Sequence, residues 1–429
     1  MPVEFNSAAN ATRSSELHPI SGAELDPEYL IRYARTLDEY GYKYTLVPYN
    51  SSGFDNFAIG ATILNVTKQI SVILALRPNT TYPTVAARKL ATLDRLSGGG
   101  RVVVHLIAGG SDAEQAREGD FLSKAERYAR EEEYIRILKR AWSSSEPFDW
   151  AGKYYTFKEF RAGVRPVAGR IPISVGGPSE EAYRVGGALA DIFGLWGEPL
   201  KETREQIDKI NAAAAAAGRT DRPRIWVTFR PIVAETEELA WAKAHRILAQ
   251  LQQIADATLA AEKTLQQLRA SGDLTGAEAA VAVAGIHGGR LFPAAGSGTD
   301  EADTKFATPE NIGSQRLLEI ASRGEVQGRA LWYPTVTATN ARGASTALVG
   351  SYQTVVDSIL DYVDIGADLI SIRGYDNYND AVNYGRHILP GVYKALEERE
   401  ATKKTSTKVL PESDKISIAL ATPVVQATA

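Results

Sequence analysis

The run Ile70-Ser71-Val72-Ile73-Leu74-Ala75-Leu76 is apolar at every position but one and rich in β-branched residues. An apolar run without polar alternation is typical of a strand that is buried on both faces, as the strands of parallel sheets are. The amphipathic segment Pro83–Leu96 follows and begins with proline, which suits the first turn of a helix. A second apolar run, Arg101–Ala108, comes next. Strand, helix and strand in this order indicate a βα unit.

The same alternation extends along most of the chain. Strands are predicted at Val3–Phe5, Tyr44–Pro48, Ile70–Leu76, Arg101–Ala108, Ile171–Gly176, Asp191–Trp196, Arg224–Val233 and Asp368–Arg373. Amphipathic helical segments lie between them. Eight strands in strict alternation with helices predict one closed (β/α)8 TIM barrel, because open doubly wound sheets more often have about five to seven strands.

Two insertions and a tail interrupt the barrel pattern, which we assign to residues 1–398. Residues 148–157 predict a hairpin after the fourth helix. Residues 271–350, rich in Gly, Ser, Thr and Ala, separate the seventh strand from the eighth and are too long for an ordinary barrel connection. We interpret them as a mobile lid or a disordered excursion. Residues 399–429 are expected to form an arm or a flexible tail.

Composition excludes several classes of function. The 429 residues carry 48 basic and 52 acidic side chains, a net charge of −4, so no nucleic-acid partner is predicted. No apolar stretch is long enough to predict a membrane-spanning helix. The start Met1-Pro2-Val3-Glu4-Phe5 lacks the basic and apolar regions of a secretory signal, and the cytoplasm is therefore the expected location.

Sulfur is almost absent from the chain. There is no cysteine, and the single methionine is Met1. Disulfides, thiolate metal sites and cysteine nucleophiles are therefore excluded. One explanation is compositional drift, because Leu, Ile and Val can replace buried Met at a small cost in stability. The other explanation is selection for a protein that is made when sulfur is scarce.

The chemistry of a barrel lies at the C-terminal ends of its strands, and the predicted strand ends are rich in arginine, aromatic residues and glycine. They contain neither a carboxylate pair nor a metal-ligand cluster, so glycoside hydrolysis and a metal site are not predicted. Gly176-Gly177-Pro178-Ser179 closes a strand and opens a helix, which indicates either an anion site or a plain capped turn. His105 points inward near a strand end, either to contact a ligand or as a core residue. Arg230, Arg342 and Arg373 either bind an anionic substrate or form surface ion pairs.

Several of these motifs occur together in a recognisable order. They are Ala75-Leu76-Arg77-Pro78, Pro83-Thr84-Val85-Ala86-Ala87-Arg88, Ala91-Thr92-Leu93-Asp94-Arg95-Leu96-Ser97-Gly98-Gly99, Gly109-Gly110-Ser111-Asp112, Glu126-Arg127-Tyr128, Gly176-Gly177, Leu195-Trp196-Gly197-Glu198-Pro199 and Ser345-Thr346-Ala347-Leu348-Val349-Gly350. The set resembles the bacterial luciferase-like flavin monooxygenases, and within them the alkanesulfonate monooxygenase branch, over residues 1–398.

The resemblance implies a two-component enzyme. A separate NAD(P)H-dependent FMN reductase supplies FMNH2, and this chain uses it with O2 to oxygenate a small organosulfur compound, a sulfonate or a sulfone. Cleavage of the C–S bond then releases sulfite or sulfinate for sulfur scavenging. The barrel with its extra arm suggests a homo-oligomer, a dimer or a tetramer. An enzyme of this kind is one in which a sulfur-free sequence is useful.

The resemblance also implies roles for individual residues. The positions that match cofactor-binding residues are Ala75, His105, Tyr128, Gly176, Gly177 and Ser179. The positions that match the active site or the lid are Trp196, Tyr375, Arg230 and Arg342.

The chain also departs from the alkanesulfonate branch. Arg230 stands where that branch has a histidine, Gly53 where it has a cysteine, and Asn377 where it has a second histidine. No carboxylate lies beside Arg230 in the loop, so we expect an anionic substrate or the flavin to neutralise it. Two alternatives stay open: a flavin- or F420-dependent hydride-transfer oxidoreductase of the same fold, and a flavin-binding homologue without catalysis.

Overall fold

A computed structural model describes residues 3–18, 25–271, 308–341 and 346–408. Its central feature is a closed barrel of eight parallel strands, which confirms the predicted (β/α)8 TIM barrel. In barrel order the strands are β1 (Glu4–Ala8), β2 (Tyr44–Val47), β3 (Ser71–Leu76), β4 (Val102–Leu106), β7 (Ile173–Gly176), β8 (Ile192–Trp196), β9 (Arg224–Ala234) and β13 (Ala367–Ile372). The ring closes where Gly194 pairs with Trp226, Ser371 with Thr228, and Phe5 with Ile370.

Helices surround the barrel and connect its strands. They are α1 (Pro27–Glu39), α2 (Asn56–Val66), α3 (Pro83–Leu96), α4 (Asp112–Ala116), α5 (Lys124–Ser143), α6 (Glu180–Leu189), α7 (Leu200–Ala216), α8 (Glu237–Ser271), α9 (Ile312–Ala321), α10 (Pro334–Ala338), α11 (Tyr352–Asp364) and α12 (Asn377–Lys408). Local chemistry fixes several of their starts: Asp26 caps α1, and Ser123 and Glu126 form a reciprocal capping box on α5. None of the helices in the described ranges is long and apolar enough to cross a membrane.

The strand residues divide into an inner and an outer set, as the two-residue period of a strand requires. Tyr44, Ile73, Val103, Trp226 and Leu369 belong to one buried cluster inside the barrel. Their neighbours along the strands pack in a larger cluster with the apolar faces of the helices. Any residue two positions beyond an inner residue therefore also faces the interior, nearer the C-terminal mouth.

The insertions contain more regular structure than the sequence pattern predicts. The hairpin after α5 pairs β5 (Phe148–Ala151) with β6 (Thr156–Phe160), where the sequence predicts one. Between α8 and α11 the described residues form α9, α10, β10 (Val326–Gln327), β11 (Leu331–Trp332) and β12 (Ala347–Ser351). The strand β12 pairs in parallel with the far half of β9. Residues 272–307 and 342–345 of the predicted lid and residues 409–429 of the predicted tail lie outside the described residues. The helix α12 continues past the predicted boundary at Glu398.

Candidate active site

An inner layer of small and polar side chains lies at the C-terminal mouth of the barrel. Ala75 and His105 are each two residues beyond a member of the inner cluster, and they pair across β3 and β4. Gly176 and Gly194 continue this layer on β7 and β8. A Cβ atom on Gly176 would lie 3.0 Å from the Gly194 carbonyl oxygen and 3.5 Å from His105 Cε1. The three positions of this layer that surround the histidine ring, Ala75, Gly176 and Gly194, thus carry no side chain larger than a methyl group.

His105 is held as a neutral ring. Its Nδ1 lies 2.9 Å from the Ser174 hydroxyl, and its ring meets the Trp226 indole edge to face at 5.4 Å between centroids. Burial lowers the pKa of His105 to about 4, so the imidazole is uncharged at neutral pH. The buried Trp226 Nε1–H has no hydrogen-bond partner within the described ranges. An unpaired buried donor is costly, which points to an acceptor supplied by a ligand in this layer.

The predicted phosphate loop brings three of the predicted cofactor residues together. Gly177 has φ +124°, and a Cβ there would lie 3.1 Å from the Tyr128 hydroxyl. The Ser179 side chain caps α6 by accepting from the Ala182 backbone N–H at 3.3 Å, and it interacts with the Tyr128 hydroxyl. Free amides at a helix start with two hydroxyl groups beside them form an anion site. Glu180 and Glu181 occupy the first turn, so an anion bound at this helix start would be held by amides and hydroxyls and not by a cationic side chain of that turn.

Trp196 and Tyr375 lie in different parts of the mouth. The Trp196 ring at the end of β8 packs against α9, where a Cβ on Gly313 would lie 3.0 Å from it. Tyr375 follows β13 and is buried, with the Arg230 guanidinium carbon 3.8 Å from its ring centroid. The structure therefore places Tyr375 with Arg230. Arg342, the predicted lid arginine, lies outside the described residues.

The expectation that Arg230 has no carboxylate partner is wrong. Its Nη1 and Nη2 donate to the two carboxylate oxygens of Glu16 at 2.8 and 3.0 Å, and Nη2 also donates to the Gly374 carbonyl oxygen. Glu16 lies in the loop after β1, more than two hundred positions away in sequence, so inspection of the local loop could not find it. Arg230 is almost fully buried. The protein itself supplies the anion that neutralises it.

Glu16 also binds Arg373, the residue that directly follows β13. The Arg373 Nη2 donates to Glu16 Oε1 at 2.8 Å. Burial raises the pKa of Glu16, but Arg230 and Arg373 lower it further, to about 2. Sequence reasoning missed Glu16 because it belongs to no motif. The only signal available was an isolated carboxylate in the connection after the first strand.

Arg77, after β3, forms a second ion-pair cluster at the mouth. Its guanidinium binds Glu114 at 2.6 Å and Glu118 at 2.9 Å, and it stacks on the Tyr49 ring at 5.0 Å. Tyr49 in turn donates to Glu118. This network holds α4, which the sequence did not predict, against the ends of β2 and β3.

Residues 308–341 contact the mouth on two sides. On one side the Asp112 backbone N–H donates to Glu310 at 2.9 Å. On the other side Arg316 of α9 binds the buried Glu198 carboxylate at 2.7 Å. This part of the predicted lid therefore spans from the connection after β4 to the connection after β8.

Comparison with known proteins relates this arrangement to one family. The luciferase-like monooxygenase family model matches residues 4–369. A riboflavin lyase crystallised with modified FMN and riboflavin has a TM-score of 0.69 at 18% identity, covering 93% of this chain and 92% of that chain. The EDTA monooxygenase of Chelativorans sp. BNC1 has a TM-score of 0.67 at 18% identity, covering 96% of both chains.

The fold is also shared with a protein of different chemistry. An F420-dependent secondary alcohol dehydrogenase has a TM-score of 0.59 at 15% identity, covering 91% of this chain and 99% of that chain. At these identities the likeness establishes the fold alone, and the choice of chemistry depends on the site.

Proposed function

Because the chain belongs to the luciferase-like monooxygenase family, and is thus a flavin-dependent monooxygenase, we propose that it uses FMNH2 and O2 to oxygenate a small organosulfur compound. The substrate is an alkanesulfonate or a sulfone, and the product of C–S cleavage is sulfite or sulfinate. The observation that carries the proposal is the site at the barrel mouth, where the Gly177, Ser179 and Tyr128 anion site adjoins the neutral His105.

The residues present fit a flavin mononucleotide. Gly177, Ser179 and Tyr128 would hold the phosphate, and the layer of small side chains around Ala75 and His105 would receive the ring system. The Trp226 N–H, which has no partner among the described residues, would be available to it as a donor. When bound, the reduced flavin supplies the electrons for O2 activation. His105 stays neutral and keeps its orientation through Ser174, so it adds no charge to the layer.

The rest of the chain supplies closure and substrate selection. The predicted lid, of which the structure describes residues 308–341 and 346–350, would exclude water from the site, which a reactive oxygenating intermediate requires. The near absence of sulfur supports a role in sulfur scavenging. We propose further that the enzyme works in the cytoplasm as a homo-oligomer and receives FMNH2 from a separate NAD(P)H-dependent FMN reductase.

Ser179→Asp should weaken FMNH2 binding at least tenfold, or about 1.4 kcal/mol. Aspartate is as good a helix cap as serine, so the fold is kept, but its charge would repel the phosphate. Anaerobic titration with FMNH2 measures the effect, and reduced riboflavin, which has no phosphate, serves as the control ligand. Equal losses of affinity for FMNH2 and reduced riboflavin would contradict the placement of the FMN phosphate at this loop.

A further inference from the structure

The arginine that faces the mouth without a full set of partners is Arg373. Arg230 uses its guanidinium internally, with two bonds to Glu16 and bonds to the Arg373 and Gly374 carbonyl oxygens. Arg373 forms one side-chain hydrogen bond, to Glu16, within the described part of the chain. A guanidinium has five N–H donors, so most of those of Arg373 are open to another acceptor.

The exposure of Arg373 and its position after β13 place its N–H donors where a substrate would lie. Arg373 is two residues beyond the inner residue Ser371, which accepts a hydrogen bond from Asn6 inside the barrel. By the strand period it points to the interior side of the mouth. Its side chain is 35% exposed, whereas that of Arg230 is 2% exposed. Arg373 is therefore both inward-facing and accessible.

The local charge is unbalanced by one unit. Two guanidinium groups share the single carboxylate of Glu16, which leaves one positive charge. Glu16 raises the pKa of Arg373, but burial and the Arg230 charge together bring it below its ordinary value. A second, mobile anion would complete the neutralisation, and the planar donor fork of arginine matches an oxyacid head group.

We propose that Arg373 binds the head group of a monoanionic substrate, a sulfonate in the reaction proposed above, and that Glu16 is the positioning residue that orients Arg373 and neutralises Arg230. This inference rests on the proposed function. Of the arginines that the sequence offers for an anionic substrate, it assigns head-group binding to Arg373 rather than to Arg230.

The test compares anionic and neutral ligands of equal length. Arg373→Gln leaves the two-bond Glu16–Arg230 pair intact, so the variant should fold. Under anaerobic conditions with FMNH2, its calorimetrically measured affinity for a linear alkanesulfonate should fall about tenfold to a hundredfold. Its affinity for the methyl alkyl sulfone of equal chain length should change little. Arg373→Lys should restore only part of the loss.

Turnover gives a second measure, with Arg222→Gln as the matched control. Arg222 is a partly exposed arginine that precedes β9 and pairs with Asp368 near the start of β13, at the end of the barrel opposite the mouth. For Arg373→Gln the KM for the sulfonate should rise more than kcat falls. The control variant should alter neither.

Each other outcome has a distinct meaning. Unchanged sulfonate affinity in Arg373→Gln would overturn the inference and leave the proposed function standing. The inference would also be overturned if the wild-type enzyme oxygenated the sulfone but not the sulfonate, or if it preferred the alkane carboxylate of equal length. A wild-type enzyme that oxygenates no organosulfur compound would overturn the proposed function, and this inference with it.

Discussion

Glu16→Ala is expected to lower the free energy of unfolding by about 3–5 kcal/mol, since removing one partner of a buried ion pair leaves an uncompensated charge. Here it leaves two neighbouring guanidinium groups, Arg230 and Arg373, without their shared carboxylate. Guanidinium-chloride unfolding at pH 7 measures the change. Arg230→Ala should cost less, because Glu16 and Arg373 remain as a neutral pair.

A double-mutant cycle and a pH series separate this account from loss of packing. Glu16→Ala combined with Arg230→Ala should recover part of the stability that Glu16→Ala loses. The pKa of Glu16 lies below its unfolded value of 4.5, at about 2, so its contribution is present above pH 4.5 and is lost as the pH falls toward 2. Glu16→Ala should lack this loss of stability at low pH. The charge argument would be contradicted if the stability losses of Glu16→Ala and Arg230→Ala were additive and if wild type and Glu16→Ala lost stability identically with falling pH.

Glu131→Gln is expected to stabilise the protein at pH 8 by roughly 3 kcal/mol relative to its effect at pH 5. Glu131 on α5 is fully buried, and neither carboxyl oxygen has a hydrogen-bond partner in the residues that the structure describes. Burial raises its pKa to about 8, against a smaller opposite effect of Arg130. The folded protein therefore keeps a proton on Glu131 that the unfolded chain releases above pH 4.5.

The sign of the pH effect on stability follows from the proton that the folded protein keeps on Glu131. A raised pKa gives stability that is complete below pH 4.5 and is lost as the pH rises toward 8. Glutamine is a neutral isostere and carries no such loss. Denaturant unfolding of wild type and variant at pH 5 and pH 8 measures the difference, and the effect of His105 cancels because both proteins contain it.

Glu132→Gln is the matched control for the Glu131 prediction. Glu132 lies next on the same helix but is partly exposed and binds Arg136 and Arg184. Its replacement should not stabilise the protein at pH 8. An equal gain from both substitutions would mean that the general removal of negative charge, rather than the buried acid, causes the effect.

The sequence predicts the barrel well because its signal is local. Each buried strand, such as Ser71–Leu76, reveals itself by an apolar run, and helix starts such as Pro27 and Pro83 have recognisable chemistry. The residues of the proposed phosphate loop, Gly176–Ser179, are also contiguous. The short elements between α8 and β13 lack such periodicity, and they depend on packing against the barrel.

Local sequence patterns of this kind cannot predict the cluster of Glu16, Arg230 and Arg373. The pair between Glu16 and Arg230 joins the connection after the first strand to the seventh strand of the barrel, and only barrel closure brings them together. An inward-facing arginine does require an anion, and in this protein Glu16 supplies it.

Product formation from FMNH2 and O2 tests the central claim most directly. The enzyme, supplied anaerobically with FMNH2, is mixed with oxygenated buffer that contains a series of alkanesulfonates and sulfones, and sulfite or sulfinate release is measured beside oxygen consumption. We predict that at least one compound yields sulfite or sulfinate in proportion to enzyme-bound FMNH2, with no product when O2 is omitted. Flavin binding without any oxygen-dependent product, or hydride transfer to an acceptor in the absence of O2, would contradict the account.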